Sequence, residues 1–240
     1  MRVAVLSDIH SNLVALDAVI AAFDSIDAVW HLGDVVGYGP EPDGVVERLA
    51  GLEAFGVRGN HDAAACGGRE IEYFNPDARA AMEWTRDAMS STTRAWLEAQ
   101  PERRTEGDFT LVHGSPRDPI WEYITTVPIA RANLTSLDTP YGLHGHTHVP
   151  VAFRDDDGRV EVISPARGSE LPMDGRTVLL NPGSVGQPRD GDPMASWLVI
   201  DTEAARCSWH RVGYDIPAVQ AAMTAAGLPS RLVGRLGHGI

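Results

Sequence analysis

The sequence has little cysteine: Cys66 and Cys207 are the two cysteines in 240 residues, and they lie far apart, outside any CxxC pattern. A disulfide framework is therefore not indicated, and we expect a reducing, cytoplasmic environment. The sequence also lacks an apolar run approaching the ~20 residues of a membrane span. Its first apolar stretch ends at Asp8 and is too short for the apolar region of a signal peptide. A membrane partner is therefore not expected.

Basic residues are also scarce in this chain. Lysine and arginine together number 20 against 33 aspartates and glutamates, which gives a formal net charge of −13. A surface this acidic repels nucleic acid, so we expect no bulk nucleic-acid binding. A local site can still be positively charged in a protein whose net charge is negative. The composition is therefore compatible with a small anionic substrate, and it leaves a homo-oligomer open.

Apolar runs and helical spacing alternate in the first part of the chain. Residues 2–7 and 28–32 predict buried strands, and residues 54–58 predict a third, short strand. Apolar residues within 13–23 recur at helical spacing, and residues 43–50 predict a second helix. Strands that alternate with helices favour an α/β fold with parallel strand pairing.

Residues 63–105 break this rhythm and predict a helical insertion, or cap, at the active edge of the sheet. Further strands are predicted at 109–113, 142–145, 150–154, 160–164, 177–181, 197–201 and 208–212. Short connections between them favour hairpins, so the second half is expected to be antiparallel or mixed. The tail from Ile216 is expected to be helical. We interpret residues 1–240 as a single domain that contains the insertion.

Polar residues that can do chemistry follow several of these strands. They occur in the short motifs "SDIH", "LGD", "RGNHD", "LVHG" and "HGHTH", each after an apolar run. Because the loops at the carboxyl ends of strands bind ligands in open α/β sheets, we expect one site built from five segments. Its members are Asp8, His10, Asp34, Asn60, His61, Asp62, His113, His146 and His148.

The residue types predict a metal centre with two divalent ions. Carboxylates, imidazoles and an amide oxygen form a mixed donor set that suits manganese, iron, zinc or nickel better than calcium or magnesium. The donors are too many for one tetrahedral ion, and they suit two ions about 3.5–4 Å apart that share a carboxylate. Manganese is the ion that we expect first. Taken singly, "SDIH" could be a solvated turn and "GNHD" a helix cap, but all five motifs in this order argue against both.

Together these motifs resemble the calcineurin-like metallophosphoesterases. "GDVVGYGP", "NPGSVGQPRDG" and the helical segment after "GNHD" resemble the compact bacterial and archaeal phosphodiesterase branch of that family. The resemblance covers nearly the whole chain and implies a four-layer fold, in which two mixed β-sheets are flanked by helices. It also implies the ligands: Asp8, His10 and His148 for one ion, Asn60, His113 and His146 for the other, and Asp34 as the bridge.

The chemistry of such a centre suits phosphoester hydrolysis. Two divalent ions bound by Asp8 and Asp34 would leave a positive pocket, which favours a phosphate oxyanion. A hydroxide bridging the two ions would attack phosphorus in line. The resemblance implies that His61 is the general acid beside the leaving group and that Asp62 orients it. A histidine that merely caps a helix is the alternative for His61.

Two further residues are candidates for substrate binding, beside Asn60 and His61. Asn12 could contact phosphate, but it could equally cap the helix that follows, and we favour the cap. Arg189, in the loop that also holds Asn181, could contact an anion. These two assignments rest on position in the sequence alone.

Three other residues near the motifs need an interpretation. Residues two apart in an extended segment lie on one face about 6.5–7 Å apart, so His146 and His148 can serve one ion each. His144 lies a further step away, and we interpret it as a bystander. Tyr38 could line the substrate mouth or pack in the core, and His31 is expected to be a hydrogen-bonded core histidine.

The leading interpretation is a dimetal phosphohydrolase that acts on a small phosphodiester or nucleotide. The resemblance extends to relatives that cleave dinucleoside polyphosphates. A phosphomonoesterase, including a protein phosphatase, is an alternative, although protein phosphatases carry Asp-Arg-Gly where this chain has Gly37-Tyr38-Gly39. A non-catalytic metal-binding scaffold is a second alternative, but such relatives lose the catalytic histidine, and His61 is present here.

Overall fold

Two mixed β-sheets form the centre of the molecule. The computed structural model describes residues 1–240, apart from the side chain of Glu70. In chain order the strands are β1 (Arg2–Leu6), β2 (Ala28–His31), β3 (Phe55–Gly56), β4 (Arg103–Glu106), β5 (Phe109–Val112), β6 (Tyr141–Leu143), β7 (Val151–Asp156), β8 (Arg159–Ile163), β9 (Glu170–Pro172), β10 (Val178–Asn181), β11 (Ala195–Asp201) and β12 (Arg206–Val212). The first sheet has the order β3-β2-β1-β11-β12-β9 and the second β4-β5-β6-β10-β7-β8.

Helices flank both sheets. They are α1 (Leu13–Ala21), α2 (Pro42–Gly51), α3 (Asn60–Ala65), α4 (Pro76–Ala88), α5 (Ser91–Glu98), α6 (Val127–Thr135), α7 (Ile216–Ala225) and α8 (Ser230–Arg235), with 3-10 helices at Arg69–Tyr73 and Leu236–His238. None of the helices in the described part of the chain combines the length and the apolar character needed to cross a membrane. The helical tail from Ile216 is confirmed.

Parallel pairing is confined to the strands that lead into the motif loops. β1, β2 and β3 pair in parallel, as do β5, β6 and β10, whereas the remaining neighbours are antiparallel. The parallel strands of each sheet therefore deliver their carboxyl ends to the same edge. This arrangement brings the motif loops of the two sheets together.

The main core lies between the two sheets. Val3 and Val5 of β1 face the second sheet, whereas Ala4 and Leu6 face α1 and α2. Because both faces of β1 are covered, the strand is apolar at every position from Val3 to Leu6. A smaller cluster packs α6 against the outer face of the second sheet. The predicted fold class, two mixed sheets flanked by helices, is confirmed.

The predicted helical insertion over residues 63–105 is wrong at its carboxyl end. Helices occupy the segment as far as Glu98, but Arg103–Glu106 is strand β4, which pairs antiparallel with β5. β4 is a sheet edge and carries polar side chains, so it lacks the apolar alternation that reveals a strand in sequence. The interpretation of this segment as a cap, and of the whole chain as one domain, stays a prediction.

The carboxyl-terminal helices pack on the segment that holds α4. Buried side chains of α7 and α8, among them Met223 and Leu232, form one cluster with Tyr38, Ala78 and Ala81. Tyr38 follows the "GD" motif closely in the chain. The end of the chain is thereby placed beside the loops that carry the motif residues.

Candidate metal centre

Five loops from both sheets bring the predicted site residues together. Asp8 and His10 follow β1, Asp34 follows β2, and Asn60, His61 and Asp62 open α3 just after β3. His113 follows β5, and His146 and His148 follow β6. All nine side chains are buried. The convergence at strand ends that the sequence predicts is therefore present in the fold.

The potential ligand atoms form two groups that share Asp34. Asp8, His10, Asp34 and His148 each offer a ligand atom, and these atoms lie within 4.8 Å of one another; Asp34, His113 and His146 do the same. In the first group, His10 Nε2 lies 3.2 Å from His148 Nε2 and 3.7 Å from Asp34 Oδ2. His148 Nε2 lies 3.4 Å from Asp8 Oδ1. The Asp34 carboxylate thus adjoins both groups, as expected of a ligand shared by two ions.

The second group centres on His113. Its Nε2 atom lies 3.3 Å from Asp34 Oδ2, 3.0 Å from His146 Nδ1 and 3.1 Å from Asn60 Oδ1. Asn60 therefore joins the two imidazoles and the carboxylate. This set of nitrogen and oxygen donors is the mixed type that transition-metal ions prefer.

Backbone carbonyls fix the orientation of three imidazoles. The Nδ1 atoms of His10, His113 and His148 lie 3.3, 2.8 and 2.6 Å from the carbonyl oxygens of Val36, Leu32 and Gln187. A carbonyl can only accept, so Nδ1 carries the proton in each ring. The lone pair of Nε2 then faces the centre, which is the tautomer that binds a metal ion.

Buried acid groups show that the cluster fits cations. In the described part of the chain, neither carboxylate oxygen of Asp8 has a hydrogen-bond partner, although the residue is fully buried. A buried carboxylate without a partner is costly, and divalent ions would satisfy it. Two pairs of imidazole nitrogens also lie close together, those of His10 and His148 and those of His113 and His146. A cation between the nitrogens of each pair would explain this closeness. The donor set therefore fits a two-ion centre.

The protein's own charges perturb the acids and bases of the cluster. Burial, together with nearby Asp34, raises the pKa of Asp8 to about 7. Although burial opposes it, the imidazoles of His113 and His61 hold the pKa of Asp34 well below its usual value. Against the effect of burial, Asp34 in turn raises the pKa of His113 to about 9, so an ion that binds at Nε2 would displace a proton from this ring.

Several of these residues adopt a backbone conformation that side chains rarely accept. The φ angles of Asp8, His10, Asp34, His146 and His148 are +53°, +50°, +50°, +66° and +59°. Outside glycine, this left-handed region is sparsely populated. Residues held there against local preference cluster at functional sites, because the surrounding structure imposes the conformation.

The environment of His61 differs from the expectation in one respect. Both carboxylate oxygens of Asp62 accept backbone N–H bonds, from Val36 at 3.1 Å and from Gly59 at 3.0 Å. Among the described residues, His61 Nδ1 has no hydrogen-bond partner. Asp62 therefore holds the start of α3. The sequence analysis expected it to orient His61, but Asp62 does not bond the imidazole directly. Burial lowers the pKa of His61 to about 4.

The two remaining substrate-binding candidates lie in different surroundings. Asn12 caps α1 through its Oδ1 atom, which accepts from Ala15 N at 3.1 Å, and its Nδ2 atom donates to the Gly186 carbonyl at 2.9 Å. Its polar atoms are thus used inside the protein, which favours the cap over a phosphate contact. Arg189 is half-buried and donates to Gln187 Oε1 at 2.9 Å.

Neighbouring residues support the "HGHTH" loop. Asn181 Nδ2 donates to the carbonyl of Gly145 at 2.8 Å and to Thr147 Oγ1 at 3.1 Å. His144 is fully buried behind the cluster and belongs to neither group of ligand atoms. Its interpretation as a bystander agrees with this position.

An aromatic cavity of about 550 Å³ adjoins the cluster and was not predicted. His61 and Asn60 lie at its inner side, and the aromatic rings of Tyr38, Tyr73, Phe74, Trp121 and Tyr123 line it. Phe74 stacks on His61 with centroids 4.5 Å apart, and Tyr123 stacks on His146 at 3.7 Å. Its rings come from distant segments, so no local motif announces the cavity; "WEY" after the His113 motif is the nearest signal.

Two facing mixed sheets with a buried, two-part cluster of aspartates and histidines at their strand ends define a metal-dependent phosphoric ester hydrolase. The chain belongs to the calcineurin-like phosphoesterase superfamily, whose domain model matches residues 1–205.

Individual relatives agree with this assignment. A metallophosphoesterase from Sphaerobacter thermophilus has a solved structure that is 46% identical and superposes with a TM-score of 0.92, covering 100% of this chain and 99% of that one. An uncharacterised protein of Methanocaldococcus jannaschii is 34% identical over 98% of this chain and 96% of its own length. The phosphodiesterase YfcE of Escherichia coli K12 is 28% identical over 85% of this chain and 89% of its own.

Proposed function

We propose that the protein is a dimetal phosphodiesterase that acts on small nucleotide-type substrates, dinucleoside polyphosphates among them. The observation that carries the proposal is the aromatic cavity directly beside the Asp/His cluster. A cluster of this kind suits the phosphate group, and a ring-lined cavity suits an aromatic base attached to it. A relative that is named as a phosphodiesterase supports the reaction class.

In this proposal the ligands divide between two ions. Asp8, His10 and His148 would hold one ion, Asn60, His113 and His146 would hold the other, and Asp34 would be available to both. When bound, the ions would neutralise phosphoryl charge and activate water as a nucleophile near neutral pH. Manganese is the ion that we propose, on the chemistry of the mixed donor set.

The chain's own residues supply the rest of the chemistry. His61 lies at the inner side of the cavity, between the ring of Phe74 and that of His10. A phosphate anion bound beside it would raise the pKa of this imidazole, which could then donate a proton to the leaving oxygen, and Asn60 at the same wall could orient the phosphate. Asp62 supports His61 by fixing the backbone of α3.

The cavity rings would bind the base of the substrate. Stacking of a base on an aromatic side chain contributes about 1–3 kcal/mol. Trp121 and Tyr73 lie with centroids 5.7 Å apart at the open side of the cavity, where Tyr73 is 77% exposed. Such rings can accept a base without a large rearrangement.

Turnover of three substrates by one manganese-loaded preparation tests the function. We expect hydrolysis of bis(p-nitrophenyl) phosphate and of diadenosine tetraphosphate, and slower hydrolysis of p-nitrophenyl phosphate. Trp121→Leu is expected to raise KM for diadenosine tetraphosphate about tenfold, since one stacking partner is lost. Faster turnover of the monoester than of either diester would favour a phosphomonoesterase. Tight binding of two ions without hydrolysis of any of the three would favour a non-catalytic scaffold.

A further inference from the structure

A second cavity, of about 860 Å³, adjoins the aromatic one. Tyr38, Asn75 and Tyr123 line both cavities, so the two are neighbours along one continuous surface. The second cavity is bounded on its other side by α8 and the residues that follow it. A ligand that reaches from the metal cluster past Tyr38 would enter it.

The charge of this cavity opposes that of the whole protein. Arg189, Arg231 and Arg235 line it, together with His238, and the acidic side chain among the lining residues is that of Asp77. The net charge of the lining is therefore positive, in a chain whose formal net charge is −13.

These arginines have no acidic side chain as a partner among the described residues, a property that they share with seven other arginines. Ten arginines of the described residues lie within 4.0 Å of a carboxylate oxygen: Arg2, Arg48, Arg58, Arg103, Arg104, Arg117, Arg154, Arg176, Arg206 and Arg211. Arg189 instead donates to the Gln187 amide, and Arg235 Nε donates to the main-chain oxygen of Ile240. Within the described part of the chain, no acidic side chain pairs with either of them or with Arg231. Three positive side chains that line one cavity, none of them paired with an acidic side chain, provide a place for an anion.

The backbone segments that carry these arginines are anchored in the fold, although the Arg231 side chain itself is exposed. Arg231 and Arg235 are four residues apart on α8 and so lie on one face. On its other face, Leu232 and Leu236 are buried in the cluster that contains Tyr38. Arg189 is anchored by its backbone N–H, which donates to the His148 carbonyl at 3.3 Å. Arg189 is thereby attached to the loop that holds His148, whereas Arg231 and Arg235 lie on α8, at the other side of the cavity.

The positive charges of this group oppose one another at Arg235. Burial, and then the nearby charges of Arg189 and Arg231, lower the pKa of Arg235 from its ordinary value. An anion between the three groups would relieve this repulsion.

We propose that Arg189, Arg231 and Arg235 form a second anion-binding subsite, which holds a phosphate of the substrate other than the one being hydrolysed. The inference rests on the proposed phosphodiesterase function and narrows its substrate class to compounds with at least two phosphoryl groups. Arg231 and Arg235 lie beyond residues 1–205, the part that the superfamily model matches. The subsite therefore lies partly outside the region that the superfamily model matches.

Binding of tripolyphosphate to the metal-free, full-length protein tests the subsite without any turnover. Isothermal titration would compare the wild type with R231Q/R235Q, with R231K/R235K and with the control R131Q, which removes an exposed arginine on α6. We expect binding to weaken about tenfold or more in R231Q/R235Q, because two charge-assisted contacts are lost. The lysine variant should retain most of the affinity, and R131Q should match the wild type. Equal binding by the wild type and R231Q/R235Q, or none by the wild type, would overturn the subsite.

Kinetics on the manganese-loaded enzyme separate the two proposals. The ratio of kcat/KM for diadenosine tetraphosphate to that for bis(p-nitrophenyl) phosphate should fall about tenfold in R231Q/R235Q, since the second compound has one phosphorus. An unchanged ratio with normal hydrolysis of both compounds overturns the subsite and leaves the phosphodiesterase standing. Arginine-dependent binding of tripolyphosphate by a protein that hydrolyses neither compound supports the subsite and overturns the function.

Discussion

Single residues at the metal cluster carry unfavourable backbone geometry. Five of the seven proposed ligands have positive φ, and each such residue costs on the order of 1–3 kcal/mol. The hydrogen bonds His10 N to Asp34 O at 3.0 Å and Asp8 N to Gly33 O at 3.2 Å hold two of the loops in this form. The cluster is thus assembled against the local backbone preference. The packing of the surrounding sheets must offset this free-energy cost.

Substitution of His61 separates its proposed role as an acid from that of a ligand. His61→Ala should keep both metal ions, because His61 belongs to neither group of ligand atoms, and lower kcat by ~10²–10⁴-fold. Metal analysis and turnover of the same preparation provide the two readouts. His210→Ala, on β12, is the matched control and should change neither. Loss of metal from His61→Ala would show that the imidazole is a ligand.

The alternating histidines of "HGHTH" provide a second matched pair. His146→Asn should lower the bound metal toward one ion per chain, because His146 Nδ1 lies in the group with His113 and Asp34. His144→Asn should keep two ions and lower the free energy of unfolding by about 1–3 kcal/mol, as expected for a buried polar group. Mass spectrometry of the metal content and chemical denaturation measure the two effects. Loss of an ion from His144→Asn would contradict its interpretation as a bystander.

At the scale of residues, the sequence predicted which side chains lie together but not the hydrogen bonds that they form. Asp8, His10 and the other motif residues converge because each is fixed to the end of a strand, which is a local property. Asp62 bonds backbone N–H groups and not His61, and Asn12 uses both ends of its amide inside the protein. These hydrogen-bond partners depend on which groups the tertiary fold brings near. They cannot be inferred from the order of residues in the sequence.

At the scale of elements, glycines let the motif loops approach one another. A Cβ atom on Gly59 would lie 2.1 Å from Asp34 Oδ1, and one on Gly145 would lie 2.0 Å from Ser7 Oγ. Both distances are far inside van der Waals contact, so a side chain at either glycine must displace its neighbour. The loops after β2 and β3 can therefore meet only where residue 59 has no side chain.

Substitution of Gly59 tests this contact. Gly59→Ala should displace the Asp34 carboxylate and weaken the binding of both ions, because Asp34 adjoins both groups of ligand atoms. Gly51→Ala, in α2, is the control, since no described heavy atom lies within 4 Å of the added methyl group. It should leave metal binding unchanged and stabilise the fold by up to about 1 kcal/mol. Calorimetric titration with Mn²⁺ measures the affinities, and equal affinity in both variants would contradict the prediction.

Elements with apolar patterns were predicted, and those without were missed. The strands β1 to β3, β5 to β7 and β10 to β12 contain buried apolar residues, and β8 alternates apolar and polar residues, so their sequences show it. β4, β9 and α6 were not predicted: β4 and β9 are polar, short strands at sheet edges, and α6 has a weak apolar stripe on one side. Pairing to an existing sheet, more than intrinsic preference, makes such edge segments strands.

At the scale of the whole molecule, a buried histidine should couple stability to pH. Burial lowers the pKa of His31 to about 4, against 6.5 for the ordinary side chain. The unfolded chain therefore takes up a proton near pH 6.5 that the folded chain refuses until about pH 4, and stability falls as the pH drops through this window. His31 is expected to account for about 2 kcal/mol of the loss between pH 7 and pH 5.

The variant His31→Gln isolates this contribution. Its free energy of unfolding should fall less steeply between pH 7 and pH 5 than that of the wild type, whatever its absolute stability. Urea denaturation at several pH values gives both slopes. Identical slopes would show that His31 is not the group responsible.

Removal of the ions should destabilise the entire fold. Without cations, the buried carboxylate of Asp8 stands without a hydrogen-bond partner among the described residues, close to Asp34. Chelation should lower Tm, and re-addition of Mn²⁺ at about 100 times its Kd should restore about 2.7 kcal/mol by mass action. Asp34→Asn, with its bridging charge removed, should respond much less. Scanning calorimetry measures each case, and an equal response of both proteins would argue against binding at Asp34.

The position of β11 between β1 and β12 has a consequence for biosynthesis. β1, the earliest of the twelve strands in chain order, pairs on one side with β2 but on the other with residues 195–201. The carbonyl of Asp8 likewise accepts hydrogen bonds from Ser184 Oγ and Gly186 N. The proposed ligands are all translated by residue 148, yet the loop that holds Asp8 is not buttressed until about fifty more residues have emerged. Ion capture during translation should therefore be late, and a nascent chain stalled before β11 should expose the free edge of β1 to chaperones and to other chains.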